Sequence, residues 1–466
     1  MKKEFFGENP TNIENKPRNK DKDEKLVFRA GVSPVESNKK IGPIRSYLYN
    51  YAFAKGEAEK GKDSKIIFSI DDTNKEKHTK EKGEEIFHFF TDILGFKFDI
   101  TPHNAKKEIG QSVFQSERQD IYQGYLEKLF DKHIAFVDRK SGLVLFDIRK
   151  FIDQYTDTLE IEDLLKGKLK LKLEENLKRG QNFFPLLRSD KSALYHLASV
   201  VDDSTFGVTH VVRGQDKFSI VQFQEMVRVS LGIEPKKYLH TPMLLEPRSK
   251  SFDGKLMFND FIKKGIMPHA LISYMISSGY GNPDETYPSL EEFIGVFDYR
   301  KIHKSSGLFD TKKLENINNR IIKKTSPEVY LNSFLIYLSG TGEKELLERI
   351  KIDSTLQNII ITLRRSSEET LVILKSILEP QYEAINEDII SVTQKVFLEL
   401  KKDIDVFPSA EVVGLDKKTL YDIMRWILVG RYSFPNITQI FQYLKDNNVL
   451  NERVESAEIV FMKNFS

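Results

Sequence analysis

The sequence predicts a chain of several domains, in which an α/β domain comes first and an all-α region comes last. Three units before residue 240 each contain an apolar segment that ends in polar residues and is followed by the apolar spacing of one helical face. Strand, turn and helix in this order are typical of an α/β domain whose strand ends carry ligands. Beyond residue 336 the periodicity is helical, with few strand signals.

The first two of these units lie near the N-terminus. Leu26–Ala30 is predicted as a strand, and Pro43 fits the first turn of the helix that follows it. Lys65–Ile70 is predicted as a second strand, and a helix from about Glu84 is stopped by Gly95. The chain therefore opens with strand, helix, strand and helix.

The third unit lies in the centre of the chain and contains two compact apolar segments. The first is Leu197–Val201, and the second, Gly207–Val212, is predicted as a buried strand that ends at Arg213. A helix follows, which Asp216 is expected to cap and Gly232 to end. The pattern alone favours a surface salt bridge for an arginine in this position.

The composition of the chain excludes several classes of protein and of functional site. The 466 residues suffice for three or four domains, and 71 basic against 69 acidic residues leave a net charge of +2, which does not indicate a nucleic-acid binder. The absence of cysteine excludes disulfides, thiolate zinc sites and a cysteine nucleophile. No apolar run approaches the roughly 18 residues of a membrane span, and no signal peptide is recognisable. We expect a cytoplasmic protein with a flexible tail over residues 1–24.

Matching motifs identify a family for this pattern. The central unit matches the bacterial glutamyl-tRNA synthetases at Tyr195, Ala198, Val200–Asp203, Gly207–Gly214 and Asp216. The N-terminal units match the same family at Arg29, Ser33, Pro34, Ile41, Gly42, Arg45 and Asp71–Thr73, with Asp71 in the place of the family's glutamate. The chain thus resembles a bacterial-type glutamyl-tRNA synthetase, a class I aminoacyl-tRNA synthetase, over about residues 26–466.

The resemblance implies a pocket for glutamate. In the family, the residues that match Arg29, Ser33, Asp71, Tyr195 and Arg213 hold the amino acid. The residue types suit a dicarboxylic amino acid, because arginine forks bind carboxylates and a carboxylate binds the ammonium group. Tyr195 can add a hydroxyl contact.

The first ATP signature of the family, HIGH, is altered. Lys40 stands where the first histidine is expected, followed by Ile41 and Gly42, and Pro43 replaces the second glycine. The resemblance implies that these residues bind ATP. Lys40 either neutralises phosphate charge as a catalytic cation, or it is a solvated residue in a site that no longer works. Both interpretations stay open from the sequence.

The second ATP signature, the KMSKS loop, is shorter than in the family. We prefer Lys250 as its catalytic, ATP-facing lysine, and Lys255 is the alternative. Asp216 and Leu244 also fall at nucleotide-binding positions. An ordinary surface loop is a further interpretation of this segment. Because both ATP signatures are altered, the sequence leaves open whether the chain still forms the adenylate.

The resemblance also implies the full architecture, namely a Rossmann-like catalytic domain with an inserted acceptor-binding domain and an all-α anticodon-binding region. The predicted parts are a tail (1–24), the first catalytic half (25–115), the acceptor-stem insert (116–189), the second catalytic half (190–265), a stem-contact linking fold (266–335) and the helical anticodon domain (336–466).

Two functions follow as expectations. The first is a glutamate–tRNA ligase, a monomer that uses ATP and Mg²⁺ but no zinc and charges tRNA, with tRNA(Glu) as the expected partner. The second is a synthetase paralogue that binds tRNA or glutamate without adenylation. The altered ATP signatures motivate the second, and the matching amino-acid residues motivate the first.

Overall fold

A computed structural model of the chain describes residues 25–74, 79–246, 256–282, 285, 287, 289–384, 389–431 and 436–465. The chain divides into two compact units. The first comprises Met1–Leu245, Gly279–Pro283 and Leu290–Gly307, and the second comprises Glu246–Ser278, Asp284–Ser289 and Leu308–Ser466. The predicted tail, residues 1–24, lies outside the described residues.

The first unit is built on a six-stranded sheet with the order β2–β1–β8–β9–β5–β6. All neighbouring strands in it are parallel except β5 and β6, and a separate antiparallel sheet has the order β3–β4–β7. The strands are β1 (Leu26–Val32), β2 (Ser64–Ile70), β3 (Ala135–Val137), β4 (Val144–Asp147), β5 (Thr158–Asp163), β6 (Gly167–Lys172), β7 (Phe183–Leu187), β8 (His210–Gly214), β9 (Lys237–Thr241) and β10 (Leu244–Leu245). One further short strand, β11 (Gly307–Leu308), begins at the last residue of this unit.

Helices connect the parallel strands of this unit, as expected for an α/β fold. They are α1 (Ile41–Glu59), α2 (Lys80–His88), α3 (Ala105–Ile109), α4 (Gln119–Asp131), α5 (Ile148–Gln154), α6 (Glu174–Lys178), α7 (Tyr195–Thr205), α8 (Val221–Ser230) and α11 (Leu290–Val296). The strands predicted at 26–30, 65–70 and 207–212 are confirmed, with ends that differ by three residues or fewer. The predicted α/β core with parallel strands is confirmed.

Local sequence signals explain where several helices begin and end, but one predicted helix cap is wrong. Pro43 lies in the first turn of α1, and Gly232 has positive φ just after the end of α8. Gly95 has positive φ just after the π-helical turn Phe89–Ile93, which continues α2. Helix α2 begins at Lys80, before the predicted start, because the Thr79 hydroxyl accepts from the Lys82 amide. The prediction that Asp216 caps α8 is wrong.

The reason is a 3₁₀ helix at Gln215–Ile220, which separates β8 from α8. Helix α8 therefore begins at Val221, five residues after Asp216, with no side-chain cap. The apolar segment Leu197–Val201 lies in the middle of α7, where its side chains are buried. Periodicity cannot distinguish so short an apolar run from a strand.

The second unit contains only helices from Thr311 onward, over the residues that the structure describes. Its helices are α9 (Phe258–Lys263), α10 (Pro268–Ser277), α12 (Thr311–Lys324), α13 (Pro327–Thr341), α14 (Lys344–Ile352), α15 (Ser354–Leu363), α16 (Ser367–Leu378), α17 (Ile390–Lys402), α18 (Ala410–Val413), α19 (Lys417–Val429), α20 (Ile437–Asp446) and α21 (Leu450–Phe465). Side chains cap several of the starts, for example Ser326 and Asp416. The predicted all-α C-terminal region is confirmed.

The predicted domain boundaries stay predictions. The main sheet takes β5 and β6 from the predicted insert, since β5 pairs with β9 through Glu162–Lys237 and Asp163–Tyr238. None of the helices in the described ranges is long and apolar enough to cross a membrane.

Candidate active site

The predicted site residues collect at one edge of the main sheet. Strands β1, β2, β8 and β9 are parallel, so their carboxyl ends meet at the same edge. Arg29 lies in β1, Asp71 directly follows β2, and Arg213 lies near the end of β8. Local periodicity places each residue at its strand, and the sheet order brings the three strands together.

Arg29 is neutralised by protein carboxylates. Its Nε donates to Asp203 at 2.6 Å, and its Nη1 donates to Asp71 at 3.2 Å and to the Ser69 hydroxyl at 3.0 Å. Burial lowers the pKa of Arg29, but Asp203 and Asp71 outweigh it and leave the pKa well above its ordinary value. The charge of Arg29 is therefore already compensated, and its role as a glutamate ligand stays a prediction.

Asp71 is a buried carboxylate with unusual acid–base properties. Burial raises its pKa, Arg29 lowers it, and Asp202, Asp203 and Asp72 raise it further, with a resulting pKa of about 7. A buried carboxylate gains from a second cation because burial disfavours its charge. Asp71 is thus suited to hold a ligand ammonium group beside Arg29.

Arg213 differs from Arg29 because its hydrogen-bond partners are neutral. Its Nη1 donates to the Gln224 side-chain oxygen at 2.8 Å, its Nε donates to His240 Nε2 at 3.2 Å, and its guanidinium lies 5.6 Å from the Tyr238 ring centroid. Nη2 is buried and has no hydrogen-bond partner among the described residues. The structure therefore does not support a surface salt bridge for Arg213, and it leaves a buried cationic donor available to an anion.

A second layer of side chains supports Arg213. His240 Nδ1 lies 2.7 Å from Asp163 of β5, and both side chains are fully buried. Gln224 donates to the Ser199 hydroxyl at 2.6 Å. Sequence reasoning assigned no role to Asp163, Ser199 or Gln224, and no local signal marks them, because their partners are 11 to 77 residues away.

His196 is a further residue that sequence reasoning missed. Burial, together with the charge of Arg213, lowers its pKa to about 4, so the ring is neutral near pH 7. Its Nδ1 is buried and has no hydrogen-bond partner in the described part of the chain. A neutral imidazole with an unused nitrogen near Arg213 is a second polar group open to a ligand.

Asp71, Tyr195 and Asp216 all act electrostatically on the Tyr47 hydroxyl. Burial is the main cause that raises the pKa of Tyr47, and the charges of Asp71, Tyr195 and Asp216 raise it further. The Tyr47 hydroxyl donates to the Gly31 carbonyl at 2.9 Å. Tyr195 is 37% exposed at the first position of α7. The three predicted residues are thus within electrostatic range of the same tyrosine.

The start of α1 separates the two adjacent lysines. Lys39 is buried, and its ammonium binds Glu36 at 2.9 Å and Glu85 at 2.5 Å. Lys40 precedes the helix and forms no ion pair with any described residue. A Cβ placed on Gly42 would meet no described atom within 4 Å. The N-terminus of α1 therefore offers a free cation and open space, the properties of an anion site.

The remaining predicted residues are less informative. The Ser33 carbonyl accepts from Asn38 at 2.7 Å, Asp216 pairs with Lys217 at 3.2 Å, and Leu244 is buried in β10. Lys250 and the alternative Lys255 lie outside the described residues. No group of three or more His, Asp or Glu side chains that suits a metal ion occurs in the described ranges.

Comparison with known proteins identifies the family. The family model described as tRNA synthetases class I (E and Q), catalytic domain, matches residues 38–151 and 144–316, together more than half of the chain. The chain belongs to this family. The predicted resemblance to class I glutamyl-tRNA synthetases is thereby confirmed.

Relatives of this class I synthetase include glutamate–tRNA ligase 2 of a Nitratiruptor species. It is 26% identical over 464 residues, which cover 89% of this chain and 95% of the relative. Glutamate–tRNA ligase of Clostridium tetani is 29% identical over 353 residues, covering 68% and 70% of the two chains. A glutamate tRNA ligase structure from Elizabethkingia meningosepticum shares the fold, with a TM-score of 0.65 at 19% identity over 93% of this chain and 100% of that chain.

Proposed function

We propose that this class I synthetase is a glutamate–tRNA ligase. The observation that carries the proposal is the buried, unpartnered Nη2 of Arg213, which lies at the sheet edge where Asp71 also follows its strand. Together they offer a donor for a carboxylate and an acceptor for an ammonium group, as an α-amino acid requires. Family membership and relatives named glutamate–tRNA ligase support glutamate as that amino acid.

The reaction has two steps. A carboxylate oxygen of glutamate attacks the α-phosphorus of ATP, a P–O bond forms, and the bond to the leaving pyrophosphate breaks. The ribose hydroxyl of the terminal adenosine of tRNA then attacks the carbonyl carbon of the adenylate and releases AMP. In both steps the chain binds and orients two substrates, which lowers the barrier without a protein nucleophile.

The N-terminus of α1 is the proposed place for ATP phosphates. Lys40 has no carboxylate partner in the described ranges, whereas Lys39 is held by two glutamates. A lysine can act on phosphate as a point charge, aided by the N-terminus of the 19-residue helix. Ile41, Gly42, Asp216, Leu244 and Lys250 complete the proposed ATP-binding set. Mg²⁺ bound to the phosphates would neutralise part of their charge, and no residue is assigned to it.

The tRNA contacts are proposed from the family architecture. Residues 116–189 are proposed to receive the acceptor end, residues 266–335 the stem, and the helical region 336–466 the anticodon of tRNA(Glu). We propose a monomer that acts in the cytoplasm, where its three substrates occur together.

The second candidate function is a synthetase paralogue that binds tRNA or glutamate but does not form the adenylate. The replacement of the first HIGH histidine by Lys40 is the observation that favours it. Under this alternative, the open start of α1 would not bring ATP phosphates into line for the reaction.

Charging of total tRNA with labelled glutamate and ATP separates the two functions. Wild type should charge tRNA, and Lys40→Ala should lose most of this activity because the phosphate charge is no longer neutralised. Lys65→Ala is the matched control, since Lys65 is exposed at the beginning of β2 and should keep wild-type activity. Wild type that binds tRNA on a filter but never charges it would refute the ligase proposal.

A further inference from the structure

We propose that Asp163 and His240 are positioning residues that direct Arg213 toward a carboxylate of the amino-acid substrate. The inference rests on the proposed function and concerns residues that do not themselves contact the substrate. It is carried by a continuous set of hydrogen bonds from Asp163 through His240 to Arg213.

The protonation of His240 follows from the chemistry of its two neighbours. An arginine Nε–H can only donate, so His240 Nε2, at 3.2 Å from it, must present a lone pair. The imidazole proton then lies on Nδ1, which donates to Asp163 Oδ2 at 2.7 Å. The other carboxylate oxygen of Asp163 accepts from the amides of Leu165 and Lys166, both at 3.0 Å. Both ends of the imidazole are thus assigned, and only one neutral tautomer fits.

The consequence is that Arg213 is fixed without being neutralised. Its hydrogen-bond acceptors, His240 and Gln224, are both neutral, in contrast to the two carboxylates that bind Arg29. Two of its three nitrogens are held, and the third, Nη2, is buried and has no described partner. An anionic ligand is therefore the partner that this arrangement leaves for Arg213.

Strand β5 places Asp163 next to His240 because it pairs with β9 in the main sheet. Asp163 is the last residue of β5 and pairs in register with Tyr238 of β9, two residues before His240. The carboxylate consequently reaches the imidazole beneath Arg213. The segment predicted to receive the acceptor end thus supplies a residue that orients the amino-acid site.

Asp163→Asn tests the proposal with little change in shape. One amide oxygen can still accept from Leu165 and Lys166, but the amide NH₂ would then face His240 Nδ1. An amide donor at Nδ1 favours the other imidazole tautomer, which carries its proton on Nε2. The Nε2–H would then face the Nε–H of Arg213, so that two donors meet, as when the aspartate of a catalytic triad is replaced by asparagine. We expect the KM for glutamate to rise about tenfold or more, because Arg213 loses an acceptor. The KM for ATP should stay within about twofold, which a general loss of structure would not produce.

Glu162→Gln is the matched control. It removes the same charge one residue away, on the exposed face of β5, and should change neither KM. His240→Asn is the second variant, because its NH₂ can donate to Asp163 in place of Nδ1–H, while the shorter side chain leaves no acceptor at the position of Nε2. It should also raise the KM for glutamate selectively, even where Asp163→Asn does not fold.

Glutamate binding measured by calorimetry separates this inference from the proposed function. Absence of tRNA charging by wild type would overturn the ligase proposal, whereas the glutamate Kd of the variants tests the positioning role without catalysis. A folded Asp163→Asn or His240→Asn protein with wild-type glutamate affinity would overturn the inference. An equal loss of affinity in Glu162→Gln would also overturn it, since it would show a general effect of charge.

Discussion

The contribution of Arg213 to glutamate binding can be worked out from its contacts. Replacement by alanine removes the buried Nη2 donor and leaves Gln224 and His240 without the cation that they hold. No carboxylate from the described part of the chain compensates its charge in a salt bridge, in contrast to Arg29. Arg213→Ala should therefore act on ligand affinity more than on folding.

The magnitude follows from the type of interaction that is lost. Truncation of one partner of a buried, hydrogen-bonded charge pair costs about 2–5 kcal/mol. At about 1.4 kcal/mol for each factor of ten, the KM for glutamate should rise roughly 30-fold to several thousand-fold. Arg213→Lys should recover only part of this loss, because an ammonium group cannot form the same fork.

The assay is tRNA charging over a range of glutamate concentrations, with the KM for ATP measured in parallel. Arg300→Ala is the matched control, because Arg300 is exposed and lines a cavity beside Leu26 and Lys237, where β1 and β9 begin. Its glutamate KM should equal that of wild type. An unchanged glutamate KM in Arg213→Ala, or an equal rise in the KM for ATP, would refute the assignment of Arg213 to the amino-acid pocket.

Three further predictions use other residues of the same unit. Because Asp71 has a pKa of about 7, its carboxylate is lost as the pH falls through 7, so the glutamate KM should rise about tenfold from pH 8 to pH 6. Asp71→Asn should flatten this profile. Gly42→Ala should raise the KM for ATP without lowering the unfolding temperature, since the added methyl meets no described atom within 4 Å. Asp202→Asn should destabilise the fold by about 3–5 kcal/mol in denaturant unfolding, because Arg118 is left as a buried, unpaired charge.

The first two of these predictions each have an outcome that contradicts them, and the third has a control variant. A glutamate KM that is constant between pH 6 and pH 8 in wild type would mean that Asp71 does not bind the ammonium group. An unchanged KM for ATP in Gly42→Ala would place the phosphates away from α1. The exposed pair Lys170–Glu160 serves as the control for Asp202, and Glu160→Gln should cost less than about 1 kcal/mol.

The sequence was sufficient for the alternation of strands and helices and for the family. Periods of two and 3.6 residues are local, so β1, β2, β8 and α1 could be predicted within a few residues. The motif around Arg213 is also local, and it predicted an amino-acid site at the end of a strand. The 3₁₀ helix at Gln215–Ile220 was not predictable in this way, and it is why the cap expected at Asp216 was wrong.

The tertiary structure decided which of these residues remain available to a ligand. The resemblance implies the same role for Arg29 and Arg213, yet Asp203 and Asp71 neutralise the first, while neutral groups hold the second. Lys39 and Lys40 are adjacent, yet only Lys39 is bound by Glu36 and Glu85. The physical reason is that charge compensation depends on side chains that folding brings together from distant parts of the sequence, such as Asp203 beside Arg29 and Glu85 beside Lys39.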